Sequence, residues 1–253
     1  MDTLLSLIPF ALIVCAGIFV QAAAGFAGGL VIVPALLWCG YSLPEAQASL
    51  LVATIPQNGL GVWSLRESIE PRRVLWPGVG RVAFLPVGAW CLVSMESLNM
   101  DTIRQIVGGF VLAATIATIV FQPQPKQHLH PIWAFLAFPI SGFTQGLVGM
   151  GGPVMVFWVQ AHDWSTRQSR GFLFTMYAVS ILPALGILYA FFGDRIIAPG
   201  LMSAATVPLL MVATHYGLKL GTKMGRRRLR TVTLGILLVI GIAGIAAPLL
   251  RGS

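Results

Sequence analysis

The sequence predicts an all-α polytopic membrane protein made of two inverted-topology repeats, each a glycine-broken, re-entrant-like helix pair followed by three transmembrane helices. Three observations carry this expectation. Apolar runs recur from end to end in a chain that is 57% hydrophobic and 9% charged. Basic residues gather in alternate loops, and one glycine-rich motif occurs twice, about half a chain apart.

The composition excludes a soluble surface, which needs interspersed charge amounting to about a quarter of all residues. The apolar runs approach the ~20 residues that cross ~30 Å of hydrocarbon. A formal charge of +8 raises nucleic acid as a partner. However, no basic groove interleaved with aromatics is present, and the basic residues sit in short loops between apolar runs, so none is expected. Cys15, Cys39 and Cys91 have no CxxC or metal-type spacing and read as packing residues. No cofactor or metal is expected. The first run ends in QAAAG, which imitates a signal-peptide cleavage site. Met1-Asp2-Thr3 lacks the positive charge such a peptide carries, so the run reads as a retained membrane segment.

Taken in order, the segments read as 3–24, 27–39, 44–65, 74–95 and 102–121, then 131–148, 151–161, 168–192, 196–217 and 231–250. The stretch QPQPKQHLHP (122–131) is Pro-rich and polar and divides the chain near its middle. The expected organisation is a first inverted repeat (1–121), a cytoplasmic linker (122–130) and a second repeat (131–253), forming one integral membrane domain. The histidines of HLHP read as part of a hydrated loop.

Orientation follows from the loops RESIEPRR (66–73) and KLGTKMGRRRLR (219–230), the most basic and therefore expected to be cytoplasmic. Counting passes outward places 12 of the 16 Lys and Arg residues inside, three outside (Arg104, Arg195 and Arg251) and one, Arg81, within a segment. Both termini then fall on the external side.

Aligning Gln21 with Gln145 brings Gly25 onto Gly149 and Gly28 onto Gly152. After a one-residue shift, Tyr41-Ser42 meets Trp164-Ser165 and Thr54 meets Tyr177. Three spans follow each motif, an odd number, so the second copy enters the bilayer from the opposite face, as in many secondary transporters. The arm after each motif spans about half the hydrocarbon thickness, roughly 15 Å at 1.5 Å per residue. A half-helix is therefore expected to start near the midplane. Pro153 suits its first turn, whereas Pro34 should bend the other arm. A helix beginning inside the membrane presents unpaired N–H groups and the positive end of its dipole. An anion satisfies them, and Gly28, Gly29, Gly149, Gly151 and Gly152 leave the backbone open to its approach. The competing reading, small-xxx-small packing, explains neither the duplication nor the short arms.

Several polar side chains accompany the motifs. Gln21 and Gln145 lie a turn earlier, placed to donate to an anion or to satisfy the broken backbone. Thr54, Gln57 and Asn58 share a segment interrupted by Pro56; Thr175, Tyr177 and Ser180 occupy the equivalent one, broken by Pro183. Hydroxyls in spans also bond back to their own helix. Arg81 is costly inside a span unless paired or solvated, so it either meets the anion or snorkels to the interface. Carboxylates fall near segment ends, which points to passive or weakly coupled anion movement.

The chain resembles the TauE/SafE family of bacterial membrane permeases, the sulfite and organosulfonate exporters. Gly25-Phe26-Ala27-Gly28-Gly29 and Gly149-Met150-Gly151-Gly152, the short apolar arm after each, and the segment with Ala53-Thr54 carry that resemblance. It covers essentially the whole chain. It implies a multi-pass protein of the bacterial inner membrane that moves small sulfur-containing anions. This chain departs in Ala27, where the family has a third glycine, and in Pro56-Gln57-Asn58, where small hydroxyl residues are common. An anion channel is the nearest alternative. A membrane enzyme is a further one, but the sequence has no HExxH, GxSxG or clustered His/Asp set. Homo-oligomerisation is left open.

Overall fold

The structure, a computed structural model, describes residues 2–25, 27–121, 123–127, 129–224 and 226–251. Phe26 of the first motif, His128 of the linker and Met1 lie outside the described residues. The described chain folds into eleven α-helices: α1 (Asp2–Ala24), α2 (Gly28–Trp38), α3 (Leu43–Leu65), α4 (Pro71–Met95), α5 (Met100–Val120), α6 (Ile132–Val148), α7 (Gly152–Gln160), α8 (Thr166–Phe192), α9 (Ile197–Ala205), α10 (Val207–Met224) and α11 (Arg226–Arg251). Among the described residues, five helical stretches are long and apolar enough to cross a bilayer. Their outer faces suit lipid: Trp76 and Phe135 are each 77% exposed, an arrangement that water would penalise.

The segments read from hydropathy coincide with these helices to within a few residues, with two corrections. The segment 196–217 is two helices, α9 and α10, separated at Thr206, whose N–H bonds back to Met202 and Ser203. The described residues of the basic stretch 219–230 are helical, in α10 and α11, because hydropathy marks where a helix leaves the membrane and not where it stops.

Polar caps start the helices after the turns. The Ser42 N–H donates to Glu45 Oε2 at 2.7 Å, and the Thr102 N–H donates to Asn99 Oδ1 at 2.7 Å. Ser165 and Gln168 form a reciprocal capping box ahead of α8.

The loops segregate to two ends. At one, Lys126 of the linker pairs with the α7–α8 connection through Ala161 and Asp163, the Ser68 hydroxyl meets the Arg167 carbonyl, and Arg230 donates to the Thr118 carbonyl at 2.7 Å. Here His162 stacks against Trp158 and Trp164, with centroids 4.1 and 4.5 Å away. Burial, reinforced by Arg73, holds this imidazole below its ordinary range despite its bond to the Trp158 carbonyl. At the other end, Arg195 pairs with Glu96 at 2.9 Å, and Arg104 donates to the Leu37 carbonyl at the close of α2. Phe10 near the start of α1 packs on Tyr41, and Gly244 near the end of α11 packs on Gly108, which puts both terminal helices' outer ends there too.

Glycines set the closest helix contacts. On α6, Gly142 and Gly146 back onto the Arg81 and Leu85 carbonyls of α4, while Gly88 of α4 backs onto the Phe143 carbonyl. A Cβ at Gly217 of α10 would lie 2.6 Å from the Phe19 carbonyl of α1, and one at Gly108 of α5 would lie 2.8 Å from Gly244 Cα of α11. Without a hydrophobic drive between helices in lipid, such backbone approach supplies the packing.

Candidate functional site

Both glycine motifs interrupt their helices at matched positions. The Gly25 N–H closes α1 on the Gln21 carbonyl at 2.8 Å, and the Gly149 N–H closes α6 on the Gln145 carbonyl at 2.9 Å. Gly25 (φ 82°) and Gly149 (φ 75°) are both left-handed. The chain then restarts as α2 at Gly28 and as α7 at Gly152. The first restart meets the second break: a Cβ on Gly29 would lie 3.3 Å from the Gly149 carbonyl oxygen.

One residue in the first break departs from the favoured chemistry. Ala27 is left-handed at φ 82°, which costs an L-residue about 1–2 kcal/mol. Ala27→Gly is therefore expected to stabilise the protein by about 1 kcal/mol. Gly149→Ala should destabilise it by about 2 kcal/mol or more, since the new Cβ would also come within 2.8 Å of Gln47 Cγ. Thermal unfolding of the purified full chain reads both, and the test is their opposite sign.

Between the tips lies a cavity of ≈ 60 Å³. Eleven of the residues singled out from the sequence line it: Gln21, Gly28, Gly29, Thr54, Asn58, Arg81, Gln145, Gly149, Gly152, Tyr177 and Ser180. Four do not. Gly25 faces open space, Gln57 is buried outside the lining, and Thr175 donates to the Gly171 carbonyl at 2.7 Å. Gly151 stands behind the site, its N–H on Gln145 Oε1 at 3.2 Å and its carbonyl receiving the Ser141 hydroxyl at 2.7 Å. Apolar residues that were not among the candidate binding residues complete the wall, including Leu30, Leu50, Leu51, Met150, Pro153 and Ile181.

The first-turn amides of α2 belong to Gly28, Gly29 and Leu30, all of which line the cavity and have no acceptor within their own helix. The tip of α7 offers fewer, because Pro153 has no N–H. Arg81 supplies donors on that side. It lies ten residues into α4, about 15 Å along the axis, and is 1% exposed, so it does not snorkel. Its Nε donates to Ser180 Oγ at 3.1 Å, one terminal nitrogen to Gln145 Oε1 at 3.3 Å, and the other contacts Ser141 Oγ and Met155 Sδ. The Tyr177 ring centroid is 5.8 Å from the guanidinium carbon. Ser141 and Met155 escaped sequence reasoning; the one available signal was Ser141 standing a helical turn before Gln145.

The hydroxyls also serve their own helices. Thr54 donates to the Leu51 carbonyl at 2.9 Å and Ser180 to the Met176 carbonyl at 2.8 Å. The Ser180 oxygen therefore receives Arg81 while its proton goes to the backbone. Among the described residues, the lining contains one charged side chain, Arg81, and no carboxylate.

An all-helical body with lipid-suited outer faces and a small positive cavity between two helix tips defines a multi-pass membrane protein of the transporter class. The chain belongs to the sulfite exporter TauE/SafE family, whose model matches residues 9–244. It is similar to the probable sulfite/organosulfonate exporter TauE of Cupriavidus necator, with 21% identity over 242 residues covering 95% of this chain and 94% of that protein. No solved structure matches it.

Proposed function

We propose that this protein carries small sulfur-containing anions, such as sulfite or a short organosulfonate, across the bacterial inner membrane, bound near the midplane between the tips of α2 and α7. The observation that carries the reading is the shared cavity: both half-helix tips and Arg81 open onto it, and no lining carboxylate opposes their positive potential.

Alternating access would come from two halves of inverted topology. The packing supports this. Gly88 of α4 faces Phe143 and Gly146 as Gly217 of α10 faces Phe19 and Ala22, and these partners are equivalent in the register that sets Gln21 on Gln145. The basic end is assigned to the cytoplasm by loop charge, which leaves both termini outside. With no buried carboxylate among the described residues to couple protons, a negative-inside potential favours anion exit by ~2.3 kcal/mol per charge per 100 mV.

Thermal stabilisation of the purified protein by sulfite, thiosulfate, sulfoacetate, taurine, sulfate and simple carboxylates tests the substrate class. Sulfur oxyanions at about a hundredfold excess over Kd should add about 2.7 kcal/mol. Stabilisation by cations or uncharged lipid alone would defeat the reading. Counterflow of labelled substrate in proteoliposomes separates a carrier from a pore.

A further inference from the structure

We propose that Phe174 of α8 is the gate that closes the cavity toward the basic end of the molecule, with Gly61 of α3 as its seat. The anion passes between these two residues when it enters or leaves on that side. This rests on the reading of the cavity as the substrate site and goes beyond it by naming what controls access.

The cavity is off-centre. In the register that sets Thr54 on Tyr177, Leu50 and Leu51 of α3 correspond to Leu173 and Phe174 of α8. The first pair lines the cavity and the second does not. On α8 the lining begins at Tyr177 and runs away from the basic end through Ser180 and Ile181. The half-helices carry the same bias. α2 leads from its break toward the end that holds Arg104 and lines the cavity from Gly28 to Leu30. α7 leads toward the basic end and contributes Gly152 and Pro153 alone. The space between the tips therefore stops at Tyr177 on the basic side.

What stops it is a ring on bare backbone. One turn beyond Tyr177, the Phe174 ring lies so close to Gly61 that a Cβ there would overlap its atoms. A turn further on, a Cβ at Gly171 would lie 3.2 Å from Ser68 Oγ and 3.6 Å from Leu65 Cβ, which continues the closed seam between α3 and α8. The positions equivalent to Phe174 and Gly61 toward the other end are Leu51 and Ala184, so the aromatic closure is confined to one side. It is also built to part. Phe174 is half-buried, and its seat has no side chain to interlock with it. Pro56 lies just before Gly61 on α3 and cannot donate to the Val52 carbonyl, a point at which helices bend.

Asn58 gives the closed arrangement a cost. It stands one turn before Gly61 on the same face of α3, and its Oδ1 is sealed within the protein without a hydrogen-bond partner. A buried acceptor left unpaired raises the free energy of the state that contains it. Displacing the ring lets water into the seam from the basic end, so opening recovers that hydrogen bond and brings the two states closer in energy.

Sided accessibility tests the gate without any solute. In the full chain with Cys15, Cys39 and Cys91 replaced by alanine, Thr54→Cys places a thiol in the cavity lining. Lys126→Cys, in a parallel sample, reports which face of the membrane vesicles carries the basic end. Phe174→Ala should speed labelling of the cavity thiol by a membrane-impermeant reagent about tenfold from the basic side, following the larger open fraction. Labelling from the opposite side should change by no more than about twofold. Phe174→Leu, which installs the residue found at position 51, should give a smaller acceleration with the same sidedness and serves if the alanine variant fails to accumulate. Unchanged labelling, or equal acceleration from both sides, would make Phe174 a packing residue and overturn the proposal. Failure of every sulfur oxyanion to stabilise the wild type would remove the proposed substrate and leave the gate standing, since the labelling involves none.

Discussion

Arg81→Met is expected to lower sulfite flux in proteoliposomes by about a hundredfold while leaving the thermal unfolding midpoint unchanged or raised. The two halves of that expectation have separate causes. Loss of a buried charged partner from a bound anion costs about 2–5 kcal/mol, and about 3 kcal/mol corresponds to that factor. In the empty protein the guanidinium is a desolvated charge with no carboxylate beside it, and replacing such a group by an apolar one of similar length is often neutral or stabilising. Its partners do not become orphans. Ser141 still donates to the Gly151 carbonyl, Ser180 to the Met176 carbonyl, and Gln145 Oε1 still receives the Gly151 N–H. Arg81→Lys should recover part of the flux, since a point charge replaces a fork that reaches α6, α7 and α8 together. Loss of folding in Arg81→Met with normal flux per folded molecule would make the residue a structural pin instead.

What the sequence revealed of this site, and what it hid, follows from the physics of each signal. Hydrocarbon enforces long apolar runs, so segment positions were readable. The paired tips were readable because an interrupted helix in lipid needs glycines or polar partners, and the chain contains that solution twice. Facing was harder. Gln57 and Asn58 are neighbours on α3, turned about 100° from one another, and only Asn58 reaches the lining. Thr175 sits two positions before Tyr177 and so falls on another side of α8, bonded to the Gly171 carbonyl. Ser141 was hidden because a serine in a span ordinarily bonds its own backbone; here it reaches across the break to Gly151. The interruption at Thr206 did have a mark, since Pro208 cannot donate an N–H and suits the first turn of a new helix, here α10. Continuous hydropathy through that stretch concealed it.

Gly142→Leu is expected to prevent accumulation of a monodisperse folded protein, and Gly142→Ala to cost about 3 kcal/mol or more. A Cβ there would collide with the carbonyl oxygen of Arg81, and the neighbouring contacts are of the same kind: Gly146 against Leu85, and Gly88 against Phe143, with the Leu147 nitrogen 2.8 Å away. Each obstacle is backbone, so no rotamer change relieves it and the helices must separate. Gly109→Ala provides the control on another helix. Nothing lies within 4 Å of its Cβ position, whereas the adjacent Gly108 faces Gly244 Cα at 2.8 Å, so Gly109→Ala should be neutral or stabilising by up to about 1 kcal/mol and Gly108→Ala destabilising. The α4–α6 contact also aligns the site. Gly142 touches the peptide of Arg81 itself, and the residue before it, Ser141, receives the guanidinium. Any folded fraction of Gly142→Ala should therefore bind sulfite more weakly than the wild type, even though the substitution lies outside the cavity lining. Wild-type affinity in that fraction would show that Arg81 is held by its hydrogen bonds alone, independently of the spacing between the two helices.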